Sequence, residues 1–260
     1  MNAEKPTKIN KLLQLTPSGV VLASSWLRKQ GYSPELIRNY KKSKWLKAFG
    51  NGAVIRYNDE VDYLGAVHTM QNQLGITVHP SAKTALSLLG RAHFLELNQQ
   101  RVYLFANEKE VLPTWFKKHN WKPQIAFFSS SFLPPEIGMT KMEHKNFSIN
   151  IAAPSRAILE CLYLTPDKIS LQECHQIMES LTDLVPAQLQ ELLEKCTSVK
   201  VKRLFLYLAD KSNHSWLKYI DKNTIDLGKG TRSFAKEGVY ISKYQMTVPK
   251  ELEENEFPEL

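Results

Sequence analysis

Ser33-Pro-Glu-Leu-Ile-Arg-Asn-Tyr-Lys-Lys-Ser-Lys-Trp45 is the stretch whose reading decides the fold. It reads as a short helix. Ser33 can cap it, Pro34 suits its first position, and Glu35 lies in the first turn, where the helix dipole favours a carboxylate. Leu36, Ile37 and Tyr40 recur at helical spacing and give it an edge to bury, while Arg38, Asn39, Lys41, Lys42 and Lys44 fill the other faces. Before it, a helix over roughly 22–30 ends at Gly31, so that Gly31-Tyr32-Ser33 is a tight connection between two helices. After it, Trp45–Phe49 and Ala53–Tyr57 read as strands around Gly50-Asn51-Gly52, whose glycines supply the positive φ angles of a hairpin. Two helices joined by a short turn and followed by a hairpin make a winged helix-turn-helix. A further short helix over Ile9–Leu15 packs beneath the pair, and residues 1–8 read as a lead-in without regular structure.

Charge gives this unit its expected use. The chain of 260 residues has a net charge of +8, and that charge is clustered. Residues 28–56 hold eight basic residues against Glu35 alone, and residues 195–250 hold twelve against four acidic ones. Residues 83–194 come to −1, and the last ten residues carry five glutamates. Clustered cations attract polyanions or an acidic partner. Beside a helix-turn-helix, the first cluster is expected to meet double-stranded DNA. Ser33, Arg38 and Asn39, in the N-terminal part of the recognition helix, fall near base edges. Lys41, Lys42, Lys44 and Arg56 are expected at phosphates, Asn51 at the wing tip near a minor groove, and Arg28 is also expected among the DNA-binding residues.

The remainder reads as α+β. Helical patterns over Glu60–Leu74 and 80–89 are followed by a hairpin of His93–Leu97 and Arg101–Phe105, a short helix at Pro113–His119, and strands at Gln124–Phe128, Met139–Glu143 and Phe147–Ile151. The result is a mixed α/β domain with a mainly antiparallel sheet. A helical part follows, over 154–163, 170–181, 186–196 and 199–209, and short strands near Val239–Ile241 and Met246–Val248 close the chain. Ser170 with Glu173 has capping-box spacing. Lys200, Arg203, Tyr207 and Lys211 share one flank of the last long helix. A boundary near residue 75 would separate a DNA-binding domain (1–75) from a second domain (76–260).

Composition excludes several classes. No apolar run approaches the roughly 18 residues of a membrane helix, and the polar N-terminus does not resemble a signal peptide. Cys161, Cys174 and Cys196 are odd in number and form no CxxC pair, which disfavours a disulfide framework or zinc site and fits buried thiols in a reducing cytoplasm. The seven histidines show no HxxxH or HxH pairing, so no metal or other cofactor is expected. Gly228-Lys-Gly-Thr231 has part of a phosphate-binding loop but lacks the upstream glycine, and reads as a turn. Glu143-His-Lys145 has the ExK form of restriction-type Mg²⁺ nucleases, the alternative from another functional class, but without a persuasive upstream Asp.

Three C-terminal stretches carry a resemblance. They are Ile151-Ala-Ala-Pro-Ser-Arg-Ala-Ile-Leu-Glu160, the run from Leu192 to Leu206, and Asp226-Leu-Gly-Lys-Gly-Thr-Arg232 with Tyr244-Gln-Met-Thr-Val-Pro249. With the winged helix, the chain from about residue 10 to 250 resembles the AbiEi antitoxins of bacterial type IV toxin–antitoxin systems. The resemblance implies a non-enzymatic protein whose winged helix binds inverted repeats in its own promoter and represses the operon. It implies a C-terminal domain that counters an AbiEii-like nucleotidyltransferase toxin without requiring a stable complex. Lys200, Lys202 and Arg203 lie inside a matching stretch and are the residues expected to form the antitoxin surface.

Overall fold

The structure is a computed structural model and describes residues 7–91, 101–235 and 237–253. The strand expected at His93–Leu97, most of the N-terminal lead-in and the acidic tail beyond residue 253 lie outside the described residues. The chain divides into two compact units. One is Met1–His79, Gln100–Ser129 and Lys141–Asn150, and the other is Pro80–Gln99, Ser130–Thr140 and Ile151–Leu260. The first unit therefore takes in chain well beyond residue 75.

The first unit opens with α1 (Lys8–Leu15), β1 (Leu22–Ala23), α2 (Ser24–Lys29), α3 (Pro34–Lys42), β2 (Leu46–Gly50) and β3 (Ala53–Arg56). The three strands form an antiparallel sheet in the order β1-β3-β2, which is the topology of a winged helix. Leu12, Leu27, Ile37, Leu46 and Val54 make its core, one apolar side chain from nearly every element. α4 (Tyr63–Leu74) is the spine of this unit. Asp62 caps it by accepting from the Gly65 amide at 2.9 Å, and Gly75, at φ +67°, ends it.

α4 also carries polar side chains that satisfy strand edges. The Thr69 hydroxyl donates to the Val21 carbonyl at 2.6 Å, and the Gln73 oxygen accepts from the Ala23 amide at 2.9 Å. On another side, Gln71 pairs with both backbone groups of Asn150 like an extra strand residue. Gly65 is required here: a Cβ would lie 2.0 Å from the Gly19 carbonyl oxygen. Asp62 further accepts from His144 and Lys145, each at 2.8 Å. Burial alone would raise its carboxyl, but those two partners and the Gly65 amide leave it below its usual value.

β5 (Arg101–Ala106) pairs in parallel with β6 (Gln124–Ser129), and β4 (His79–Pro80) completes that sheet in the order β4-β5-β6. The sheets are therefore mixed, with a parallel pair at β5–β6, while the strand expected to pair antiparallel with β5 lies outside the described residues. α6 (Thr114–Lys117) connects β5 and β6. β7 (Met139–His144) and β8 (Phe147–Ala152) form a hairpin.

The second unit is mainly helical: α5 (Ala82–Leu88), α7 (Pro154–Tyr163), α8 (Leu171–Ser180), α9 (Pro186–Lys195) and α10 (Val199–Lys211). α7 is its centre, with every residue from Ser155 to Leu162 buried, and α5, α8, α9 and α10 pack around it. Ser170 caps α8 and Ser198 caps α10, each accepting from an amide three residues on. The unit ends in β9 (Arg232–Ser233), β10 (Gly238–Ile241) and β11 (Met246–Pro249), with β10 antiparallel and β9 parallel to β11. Cys161, Cys174 and Cys196 are buried free thiols, and burial raises all three above the usual thiol range. Among the described residues no helix is long and apolar enough to cross a membrane, and no group of three His, Cys, Asp or Glu residues could hold a metal ion.

Candidate nucleic-acid interface

The turn that presents α3 is fixed from below. Gly31 adopts φ +82°, the buried Tyr32 donates its hydroxyl to the Lys8 carbonyl at 3.1 Å, and the Lys8 ammonium reaches the Gly31 carbonyl at 3.3 Å. The base of α1 thus sets the entry angle of α3. Ser33 caps α3, accepting from the Leu36 amide at 3.2 Å. Ile37 is buried, and Leu36 and Tyr40 are half-buried.

Arg38, Asn39, Lys41 and Lys42 are all exposed, as are Ser33 and, at the end of α2, Arg28. One face of the helix is therefore an unobstructed cationic surface. α3 stops in a Schellman motif: the Trp45 amide donates to Tyr40 at 2.9 Å and the Lys44 amide to Lys41 at 3.2 Å. The left-handed residue is Lys44, at φ +57°, where glycine is usual. Its exposed side chain projects past the helix end, with the ammonium 6.0 Å from the ring centre of Tyr57.

The wing follows at once. Gly50 (φ +140°) and Gly52 (φ +83°) flank an exposed Asn51, and the ladder slips between Ala48 and Gly50. The slip turns Phe49 onto a group of aromatic side chains. It stacks on His119 at 4.6 Å and lies 6.1 Å from Trp115 and 6.0 Å from Trp121, ring centre to ring centre. A Cβ on Gly50 would sit 3.1 Å from the Trp115 Cβ, so the wing rests directly on α6. Sequence reading missed this buttress, although Trp115-Phe116 and Trp121 are a local excess of large rings that a solvated loop would not need.

Four expected site residues are placed otherwise. Arg56 does not face outward: its guanidinium donates to the Leu13 carbonyl at 2.7 Å and to the Thr16 carbonyl, closing the C-terminal end of α1. The expected antitoxin surface on α10 is not a surface, because Lys202 is 4% and Arg203 1% exposed. Arg203 donates to the carbonyls of Leu227, Gly228, Gly230 and Gln245. Lys200 is half-buried and its ammonium reaches the Tyr163 and Thr165 carbonyls, each at 2.7 Å. Burial lowers the Lys200 ammonium below its usual value. A cationic flank at 100° steps suggests solvent, whereas here it serves exposed carbonyls of neighbouring segments. The ExK pair is also not poised for metal, since Lys145 is tied to Asp62 while Glu143 is exposed.

An exposed cationic second helix, held at a fixed angle and followed by a buttressed wing, is the architecture of a winged-helix regulator. Residues 99–249 match the family described as transcriptional regulator, AbiEi antitoxin, type IV TA system. Residues 5–97 match the N-terminal domain of the same antitoxins. The chain belongs to the AbiEi family of type IV antitoxins, a family of transcriptional regulators. Its fold is shared with the crystal structure of the RV2827C protein from Mycobacterium tuberculosis, at 14% identity and a TM-score of 0.54 over 92% of this chain and 88% of that one. None of the curated proteins matches the chain.

Proposed function

We propose that this antitoxin represses its own operon through α3 and the wing, and opposes a nucleotidyltransferase-like toxin through residues 76–260 without forming a stable complex with it. Neither role requires catalysis or a cofactor. The observation that carries the first role is the exposed cationic face of α3: in a winged helix, this face enters the major groove. Ser33, Arg38 and Asn39 are then placed at base edges. Arg28, Lys41, Lys42 and Lys44 lie at phosphates, and Asn51 at the adjacent minor groove. Arg56 is withdrawn from this set, since its guanidinium is committed to α1.

The two roles separate experimentally in the full-length chain. Arg38→Ala with Lys42→Ala alters only exposed side chains and should leave the fold intact. Expressed from an independent promoter beside the toxin, this variant is expected to protect cells as the wild type does. On a reporter fused to the operon's upstream DNA, it is expected to lose repression. Loss of both functions, with the protein still folded, would contradict the division.

A further inference from the structure

The buried Arg203 poses a question that the helix itself does not answer. An arginine at 1% exposure is costly unless every donor finds an acceptor, and here the acceptors belong to one loop and to Gln245, the residue just before β11. Its Nε donates to Leu227 at 2.8 Å. Its Nη1 donates to Gly230 at 2.7 Å and Gln245 at 2.9 Å, and its Nη2 to Gly228 at 3.2 Å. The guanidinium therefore draws the loop's carbonyls inward.

That arrangement fixes the opposite side of each peptide. Across a trans peptide the carbonyl and the following N–H point in opposite directions, and the cis bonds among the described residues lie elsewhere. With the Gly228 and Gly230 carbonyls turned toward Arg203, the amides of Lys229 and Thr231 face away from it. The Gly228 amide is taken by Asp226 at 2.8 Å, which closes the turn. The Lys229 and Thr231 amides have no partner among the described residues, nor do the side chains of Lys229, Thr231 and Arg232, and all three residues are exposed.

The backbone supports the same conclusion. Gly228 (φ +63°) and Gly230 (φ +79°) are left-handed and Lys229 between them is not. Glycine adopts this left-handed backbone without steric cost, so both carbonyls can be held toward Arg203. A Cβ on Gly228 would come within 2.9 Å of Val199, so the loop is pressed against the start of α10.

We infer that the Gly228–Arg232 loop is a phosphate-binding site. Arg203 is its positioning residue; the Lys229 and Thr231 amides, with the side chains of Lys229, Thr231 and Arg232, are its contacts. Outward amides flanked by one ammonium and one planar guanidinium suit a group with several acceptor oxygens and more than one negative charge. A phosphate on a nucleic-acid backbone and a free phosphate share that chemistry. The site lies on α10 and the C-terminal strands, is separate from α3, and stands whether or not the chain represses its operon.

Amide nitrogen–proton spectra of the full-length protein test this directly. Titration with inorganic pyrophosphate is expected to shift the Lys229 and Thr231 amides saturably. A short single-stranded RNA that shifts the same amides at lower concentration would place the phosphate on nucleic acid, and pyrophosphate alone would place it on a small ligand. Lys229→Ala with Arg232→Ala leaves the Arg203 clamp intact and is expected to weaken binding by about tenfold or more. Lys195→Ala with Lys218→Ala removes the same net charge from other exposed positions and is expected to leave binding unchanged. Absence of a saturable shift at these amides would overturn the site. So would equal weakening by the two double variants, or an equal response to polyglutamate.

Discussion

Replacing Arg156 by alanine is expected to cost the second unit about 3–5 kcal/mol, enough to abolish most of its stability. Arg156 and Glu160 are one turn apart on α7, paired at 2.8 Å and only 5% and 0% exposed. Glu160 also accepts from the Ala82 amide at 3.2 Å at the start of α5. Arg156 donates to the Pro134 carbonyl at 2.6 Å and the Ile137 carbonyl at 2.7 Å. Gly138 completes the arrangement: a Cβ there would meet the Arg156 Cβ at 2.9 Å. Truncation would take the paired guanidinium away from a buried carboxylate and remove the donor that serves two carbonyls, and that penalty exceeds what the intact pair contributes. Urea denaturation followed by circular dichroism reads the effect. Arg91→Ala provides the contrast, because the Arg91–Asp183 pair is 45% and 54% exposed and water screens it. Near-equal losses at the two sites would show that α7 is not braced as described.

The second large effect falls on DNA. Arg38→Ala with Lys42→Ala is expected to weaken binding to the operon's upstream DNA and to flatten its salt dependence. Each cation withdrawn from a phosphate lowers the slope of log K against log salt by about 0.9. The difference in affinity should therefore be largest at low salt and shrink as salt rises. Lys47→Ala, on a half-buried strand position of the wing, should change the slope less. An unaltered slope would remove α3 from the phosphate backbone.

Much of this fold could be read from local signals. Gly31 and the Gly50-Asn51-Gly52 turn gave the winged helix its punctuation, and Pro154, Ser170 and Pro186 marked helix starts that the structure keeps within a residue. Capping chemistry is local, so it is legible. Strand partnership is not: Arg101–Ala106 alternates like any strand, yet it pairs in parallel with Gln124–Ser129 across α6. Side-chain direction was the other blind spot. Arg56, Lys200, Lys202 and Arg203 look like surface cations in sequence, but three of them donate to backbone carbonyls from elsewhere in the chain. Charge periodicity cannot separate water from a distant carbonyl as the recipient of those donors. The exposed face of α3 was legible because no apolar residue interrupts Arg38-Asn39 or Lys41-Lys42.

Whether this antitoxin reads DNA with α3, as proposed, is decided by footprinting of the purified full-length protein on the DNA upstream of its operon, with EDTA present. The expected result is protection of paired half-sites arranged as an inverted repeat, with the DNA left intact and protection lost in the Arg38→Ala, Lys42→Ala variant. Uniform protection without discrete half-sites, or an unchanged footprint in that variant, would contradict it.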